Sequence, residues 1–264
     1  MSVTSLEGSA REGSARAALD AVFDPELDEP ITDLGFVRSV AVTPDGALTV
    51  RLRLPTSFCS PNFAYLMASD SKDALTALPW TRDVVVLLDD HHDSDLINRG
   101  LAADAGYRGT FGAEAEKDLE ELRLTFRRKA HSAAMERALA CLLRESPDLT
   151  EEDLHEVVLG DLPDVTAAGA LRRRRAALGL GVEPSDHVLV DDHGTRYPQG
   201  EIPLRLRFAR AVRVSIDGNA HFCRGLLRTR YPRSGADQAP RAEEFARFTA
   251  PQAQFTAPQK ENVS

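Results

Sequence analysis

Hydrophobic positions in the first part of the chain predict a helix followed by a two-stranded hairpin. Apolar residues at helical spacing follow Ser14 and stop at Asp24-Pro25, because the residue before a proline disfavours helical geometry. The segments 36–43 and 48–54 flank Pro44-Asp45-Gly46, a turn signal, and the second segment alternates apolar and polar residues. This alternation is typical of a hairpin with one face in water.

A second helix and a buried strand follow the hairpin. Between Pro61 and Leu78 the apolar residues trace one helical stripe, and the unbroken apolar run from Val84 to Leu88 is typical of a buried strand. The strand-helix-strand order predicts that the strand ending at Leu54 and the strand ending at Leu88 are parallel. Because the carboxyl ends of parallel strands share one edge of a sheet, we expect the loops after these strands to be neighbours.

Candidate metal ligands occur in both of these loops. Cys59 lies at the positive end of the following helix, where a thiolate is favoured, and His91, His92 and Asp95 follow the third strand. Imidazole and carboxylate beside a thiolate suit iron or zinc. Two plainer alternatives are a cysteine that serves as a small apolar residue and a solvated acidic turn that caps the next helix.

The remainder of the chain predicts a long helix, a second domain and a tail. Helical patterns run from Glu114 to Glu145 and from Val165 to Leu178, and strand character is seen at 187–190, 202–216 and 221–230, with a turn at Asp217-Gly218. The final residues are rich in Ala, Pro and Gln and contain Phe-Thr-Ala-Pro-Gln twice, which predicts disorder. The predicted fold class is α+β, divided into a flexible N-terminus (1–13), an αββαβ domain (14–112), a linking helix (113–146), a C-terminal α+β domain (147–233) and a disordered tail (234–264).

The composition indicates a globular protein and weighs against several function classes. Hydrophobic residues make up 42% of the chain, and the net charge of −9 disfavours nucleic acid and anionic membranes as partners. Three cysteines cannot complete a disulfide framework, and no apolar run approaches the roughly 20 residues of a membrane span. Together with a polar N-terminus, these features predict a cytoplasmic location. A glycine-rich phosphate loop, a Gly-x-Ser-x-Gly motif and a His-Glu-x-x-His motif are absent from the sequence.

An excess of arginine marks the C-terminal region. Between Arg196 and Arg233 there are nine arginines and two acidic residues, a local charge of +7 in a chain of −9. On the predicted strand, Arg205 and Arg207 share one face, where guanidinium groups can bind carboxylates or phosphates. An acidic partner protein, a phosphorylated ligand and the chain's own acidic residues are the alternatives, and we favour protein or intramolecular partners over nucleic acid.

A second set of candidate ligands lies in the same region. His221 and Cys223 are two apart on a predicted strand and are expected to face one way. The favoured interpretation is unconnected polar residues and a buried thiol, because the spacings match no standard zinc pattern, and a zinc or iron site is the alternative. The other members of the set are His187, Asp191, Asp192 and His193.

The first hundred residues also resemble a known family. The resemblance is carried by Asp24-Pro25-Glu26, Pro30-Ile31 and Asp33-Leu34-Gly35, then a strand, Asp45-Gly46, a second strand, Thr56 and Cys59. This pattern, over residues 14 to 105, is similar to the PaaD/SufT-like family of metal-sulfur cluster assembly proteins. The resemblance implies a role in the assembly or delivery of iron-sulfur clusters, and it carries a binding role onto Asp24, Glu26, Asp33, Thr56 and Cys59.

Two departures from the family pattern change the expected chemistry. Ser60 follows Cys59 where the family usually has proline, and Asp90-His91-His92-Asp93 stands where bacterial members usually have an apolar loop. The second departure suggests a more self-sufficient metal site, one that handles iron ions rather than a finished cluster. The resemblance extends to relatives encoded beside bacterial di-iron monooxygenases, which implies a component of such an oxygenase as the client protein.

Three hypotheses follow from these observations. The first is a non-enzymatic maturation factor that binds iron or an iron-sulfur cluster transiently through Cys59, helped by His91 or His92 and by a carboxylate such as Asp33 or Asp95. The second is a metal-dependent or thiol enzyme that uses the same residues, with zinc as the other candidate metal. The third is an interaction module without chemistry. A homodimer is left open in each case.

Overall fold

The computed structural model describes residues 3–112, 115, 119–163 and 165–232. Helices α1 to α7 are Val3–Leu19, Pro61–Thr76, Ser94–Ala102, Gly106–Phe111, Leu119–Glu145, Val165–Ala177 and Ile202–Arg230. Strands β1 to β5 are Phe23–Asp24, Glu29–Pro30, Val37–Val42, Ala47–Arg53 and Asp83–Asp89. This mixture of helices with a separate sheet confirms the predicted α+β class. The predicted disordered tail and its repeated Phe-Thr-Ala-Pro-Gln lie outside the described residues.

Strands β3, β4 and β5 form one sheet with β4 in the centre. Strand β3 pairs with β4 in antiparallel fashion, which confirms the hairpin. Strand β5 pairs with β4 in parallel, from Ala47 opposite Asp83 to Arg53 opposite Asp89, and α2 connects the two. The sequence prediction of a strand-helix-strand unit is therefore confirmed.

The hairpin turn depends on Gly46. Its φ of +90° is a backbone conformation that favours glycine, and a Cβ atom at this position would lie 2.6 Å from the carbonyl oxygen of Trp80. The Arg82 amide donates to the Gly46 carbonyl at 2.9 Å, so the turn also fixes the start of β5.

The main core lies between the sheet and helices α1, α2 and α3. Alternate residues of β4 point into it, with Leu48, Val50 and Leu52 each at most 1% exposed. Leu19 of α1, Leu75 of α2 and Ile97 of α3 are fully buried against them. Burial of these apolar side chains supplies most of the driving force for folding in this part of the chain.

Helix α1 begins earlier than the sequence pattern predicts. It starts at Val3, inside the segment expected to be flexible, and continues through the predicted start at Ser14. Good helix formers such as Ala10 and Glu12 occur in this stretch, and Arg16 bonds Glu12 one turn away at 3.1 Å. The stretch before Ser14 has no apolar stripe, so the apolar periodicity predicts a helix start at Ser14 although the helix begins at Val3.

A second core joins α5, α6 and the N-terminal half of α7. Its buried members include Leu139 and Leu142 of α5, Leu171 of α6 and Leu206 of α7. Helix α7 reaches both cores, because Ala220 and Leu227 in its C-terminal half belong to the main core. The C-terminal helix therefore ties the second core to the sheet.

The predicted strands 202–216 and 221–230 are wrong, because both segments belong to helix α7. The alternation of Leu204 and Leu206 with arginines suggested a period of two residues. In the structure Leu204 is 44% exposed, and the buried residues Ile202, Leu206 and Ala209 follow helical spacing. Leucine and arginine are both good helix formers, so the local propensity favours helix. The predicted strand at 187–190 is reduced to isolated bridges that pair Val158 with His187 and Val190 with Arg196.

Acidic residues of the chain itself satisfy much of the arginine excess. Glu136 of α5 is 2% exposed and accepts hydrogen bonds from Arg210 and Arg213 of α7. Arg205, predicted to lie on a strand face, pairs with Glu201 one helical turn away at 2.8 Å. These contacts support the intramolecular alternative. Within the described residues, no helix combines the length and the apolar character needed to span a bilayer.

Replacement of Gly218 by alanine tests the helical assignment of α7. Gly218 lies inside the helix, and a Cβ atom there would meet nothing within 4 Å. We expect Gly218→Ala to raise the free energy of unfolding by about 0.5–1 kcal/mol in denaturant titration. Gly46→Ala is the matched control, and it should lower stability because of its positive φ and close contact. Destabilisation by Gly218→Ala would instead support a turn at Asp217-Gly218.

Candidate functional site

The loops after β4 and β5 meet at one edge of the sheet, as the parallel pairing predicts. The amide of His92 donates to the carbonyl oxygen of Ser57 at 2.9 Å. The Nε2 atom of His91 lies 2.8 Å from the carbonyl oxygen of Cys59. The expected proximity of the two loops is therefore confirmed, and Cys59 lies where they join.

His91 is a structural link between these loops. It is 5% exposed, and its Nδ1 atom accepts a hydrogen bond from the amide of Asp93 at 3.1 Å. With Nδ1 as acceptor, the neutral ring carries its proton on Nε2 and donates it to the Cys59 carbonyl. Both ring nitrogens are thus engaged by backbone groups. Metal coordination by His91 would require one of these bonds to open.

The other two predicted loop ligands are exposed. The ring of His92 lies beside that of Phe58, with 5.7 Å between the ring centroids, and Phe58 itself is 80% exposed. Asp95 lies in the first turn of α3. Across the part of the chain that the structure describes, no group of three or more His, Cys, Asp or Glu side chains is placed to hold a metal ion. The joint ligand set stays a prediction.

Cys59 lies beside the start of a helix and a hydroxyl group. The residue is half-buried and directly precedes Ser60, the N-cap of the 16-residue helix α2. The hydroxyl of Thr56 lies 3.4 Å from the sulfur and can donate to it. The same hydroxyl oxygen accepts from the amide of Phe58 at 3.2 Å, which fixes its position. A partly exposed sulfur with a fixed hydroxyl beside it is thus available at this edge of the sheet.

Arg230 at the end of α7 fastens both loops and was missed by the sequence analysis. Its guanidinium donates to the Leu54 carbonyl at 3.1 Å, to the Ser57 hydroxyl at 2.7 Å and to the Asp90 carbonyl. The hydroxyl of the next residue, Tyr231, donates to the Asp90 carboxylate at 3.0 Å. We call Arg230 and Tyr231 the loop clamp. A residue so distant in sequence carries no local signal for this role.

Asp24 stabilises the turn between β1 and β2. Its Oδ1 atom accepts hydrogen bonds from the amides of Glu26 at 2.8 Å and Leu27 at 2.9 Å. Burial raises the pKa of this carboxyl to about 6, against the lowering effect of the two amides. Asp24 therefore helps to fix the conformation of this turn.

The remaining residues of the resemblance differ in their surroundings. Glu26 is exposed and accepts a long hydrogen bond of 3.4 Å from Asn219 of α7, and Asp33 is exposed. Gly35, after Leu34, has a φ of +76°, which explains why glycine suits this position. Thr56 contacts Cys59 directly. A cargo-binding role for Asp24, Glu26 and Asp33 stays a prediction.

Cys223 and His221, predicted to share a strand face, lie on helix α7, where residues two apart point in different directions. Cys223 packs against the main core, as Cys59 does. Burial raises the pKa of Cys223 to about 12, and the negative charges of Asp24 and Cys59 act in the same direction. Two of the three cysteines therefore belong to one neighbourhood. Asp192, another member of that set, pairs with Arg128 at 2.7 Å.

A cavity of about 300 Å³ lies between the β1–β2 turn and helices α5 and α6. Asp24 lines it together with Phe23, Phe126 and Arg174. Cys59 and the two loop histidines are not among the residues that line this cavity. The cavity is therefore separate from the edge of the sheet that carries the thiol.

The N-terminal part of the chain is similar to known proteins. Residues 14–88 match the family described as iron-sulfur cluster assembly protein. The iron-sulfur cluster carrier protein of Mycobacterium tuberculosis is 39% identical over 74 residues, which is 28% of this chain and 19% of that protein. The Mycobacterium leprae carrier protein is 34% identical over 89 residues, or 34% of this chain and 23% of that protein. The chain thus spans about a fifth of the length of the curated relatives that it matches.

One solved structure is also similar to part of this chain. It is a domain of unknown function, DUF59, from Bacillus anthracis, 25% identical, and the alignment covers 39% of this chain and 99% of that one with a TM-score of 0.31. The resemblance to an iron-sulfur cluster assembly family is confirmed by the sequence matches in residues 14–88. The association with a di-iron monooxygenase stays a prediction.

Asp24→Asn tests the environment of the buried carboxyl. The amide side chain keeps an acceptor for the Glu26 and Leu27 amides but cannot ionise. The folded pKa of about 6 lies above the ordinary value of 3.8, so folding favours the neutral acid; this stability is present below pH 3.8 and is lost as pH rises through 6. Between these values wild type should lose on the order of 1–3 kcal/mol relative to Asp24→Asn in denaturant titrations. Parallel pH profiles of the two proteins would contradict this account.

Proposed function

We propose that this protein assembles or carries iron-sulfur clusters for client proteins and that Cys59 binds the cargo. The observation that carries the proposal is the position of Cys59, half-buried at the start of α2 and in contact with the Thr56 hydroxyl. The matched residues 14–88 include Cys59. The relatives that match this segment are named iron-sulfur cluster carrier proteins.

The ligand count supports transient binding of the cargo. Iron-sulfur clusters that reside in proteins are usually held by several cysteine thiolates. Within the described ranges, the residues around Cys59 supply no set of three metal ligands. A cluster bound here completes its coordination with ligands from elsewhere, such as a small thiol or a client. Few protein ligands make release to a client easier, which suits a carrier.

The geometry gives less support to a thiol enzyme with a histidine base. His91 contacts Cys59 through a bond to the Cys59 carbonyl. Because both of its ring nitrogens bond backbone groups, the ring is not available to take a proton from the sulfur in this arrangement. Its role in the proposal is to hold the Cys59 backbone in place.

The proposal also includes the identity of the client protein. A component of a di-iron monooxygenase is the candidate, and it rests on the resemblance of the N-terminal region alone. A cytoplasmic location, where thiols stay reduced, agrees with the described cysteines, Cys59, Cys141 and Cys223, forming no disulfide. An interaction module without bound metal is the outcome to be distinguished by experiment.

Anaerobic reconstitution with iron and sulfide tests the role of Cys59. We expect wild type to bind iron and sulfide and to transfer them to an apo-ferredoxin, whereas Cys59→Ser should lose affinity by about tenfold or more. Cys141→Ser is the matched control, because Cys141 lies on α5 and accepts from Arg144 at 3.0 Å. Equal iron and sulfide contents and identical spectra for Cys59→Ser and wild type would remove Cys59 from the site.

A comparison of two histidine variants separates a positioning role from metal coordination. If His91 acts through the Cys59 backbone, His91→Ala should change the rate of Cys59 alkylation in metal-free protein, measured with Cys141 and Cys223 replaced by serine. His92→Ala should leave this rate and the iron content unchanged, because the His92 ring is exposed and its ring contact is with Phe58, not with Cys59. Loss of iron in His92→Ala with unchanged alkylation would favour the joint ligand set instead.

A further inference from the structure

We propose that Cys223 of helix α7 supplies a second thiol to cargo bound at Cys59, so that the cluster is held across the junction between the sheet and the C-terminal helix. This inference rests on the proposed function. Cys223 lies beyond residues 14–88, the segment that matches the assembly family. The second ligand is therefore a property of this chain's additional helix.

The pattern of burial along α7 places Cys223 toward the sheet domain. Buried or half-buried residues recur at steps of four and three along one stripe, which is the spacing of a single helix face. The members of the stripe are Ile216, Ala220, Cys223, Leu227 and Arg230. Ala220 and Leu227, on either side of Cys223, both belong to the main core. Cys223 therefore faces the domain that contains Cys59.

Polar contacts fix the position of this helix along the domain. Arg224, the neighbour of Cys223, forms an ion pair with Glu29 of β2. Seven residues after Cys223, or about 10 Å along the helix axis, Arg230 bonds the Ser57 hydroxyl in the Cys59 loop. Four residues before it, Asn219 bonds Glu26. Cys223 therefore lies on the helix between a contact with the β1–β2 turn and a contact with the Cys59 loop.

The two thiols also pack against the same core. Cys59 and Cys223 are both half-buried side chains in contact with the main core. Burial raises the pKa of Cys223, and the charge of Cys59 acts in the same direction, which agrees with the proximity that the helix contacts indicate.

The chemistry is a ligand exchange without any redox change. A cluster already bound through Cys59 carries a small thiolate, such as that of glutathione, on a neighbouring iron. The Fe–S bond to this thiolate breaks, a bond from the same iron to the Cys223 sulfur forms, and the Cys223 proton leaves with the displaced thiol. Reversal of this exchange on a client releases one of the two protein ligands before the other.

A test of proximity that needs no cargo comes first. Phenylarsine oxide binds two neighbouring thiols and releases water, and intact-mass spectrometry of the folded full chain reports the adduct. We expect the adduct in wild type and in Cys141→Ser, and its loss in Cys59→Ser and in Cys223→Ser. An adduct that survives Cys223→Ser would contradict the pairing, as would its absence from folded wild type.

The second test follows bound cargo during anaerobic reconstitution with iron, sulfide and glutathione. We expect Cys223→Ser and Cys223→Ala to bind the cluster through Cys59 but to lose it to a chelator about tenfold faster than wild type or Cys141→Ser. The alanine variant keeps a small apolar side chain in the core, and circular dichroism checks that both variants fold. Wild-type spectra and loss rates in both Cys223 variants would overturn the inference while leaving Cys59 in its role. A wild type that binds no cluster would overturn the proposed function itself.

Discussion

The parallel pairing of β4 with β5 is the constraint on which the rest of the site depends. Because both strands end at one edge of the sheet, the Cys59 loop and the histidine loop are forced together. The bonds from His91 to the Cys59 carbonyl and from His92 to the Ser57 carbonyl then join the loops into one surface. A register shift of one residue would move the core side chains of β4 to the opposite face, so the apolar core protects the site geometry.

Helix α7 also stabilises this edge of the sheet, through the contacts of Arg230 with both loops. It packs on both hydrophobic cores, and buried Glu136 of α5 receives two of its arginines. Only Glu136 is fully buried in this group, so removal of both arginines would leave its carboxylate without a partner in the interior. The helix is attached at both cores, and at its C-terminal end the loop clamp contacts both loops of the edge. The segment that matches the assembly family, residues 14–88, is in this way packed against side chains from outside that segment.

The sequence predicted the strand-helix-strand unit and the meeting of its loops because both follow from local periodicity and from a general rule of topology. It did not predict α7, because leucines and arginines that alternate over a short stretch satisfy a strand pattern and a helix pattern alike. The contacts of Arg230 and the packing of Cys223 depend on that helix and on residues far away in sequence. The longer apolar spacing through Ala220 and Leu227 was the available signal, since it persists at steps of three and four.

For the candidate ligands too, the sequence indicated some contacts and could not indicate others. The resemblance pointed to Cys59 and Thr56, and the structure places their side chains in contact. The chemical types in the histidine loop suggested a ligand cluster, but hydrogen bonds to backbone groups occupy His91, the buried member. Residue type alone could not reveal this, because histidine serves equally as a metal ligand and as a hydrogen-bonding link.

The central claim is that the sulfur of Cys59 at this edge holds an iron-sulfur cargo. Native mass spectrometry of protein purified without oxygen tests it most directly, because it counts iron and sulfide on the intact chain. The account predicts a cluster mass on wild type and on Cys141→Ser that disappears from Cys59→Ser. The same cluster mass on Cys59→Ser, or a wild type that never carries iron with sulfide, would contradict it.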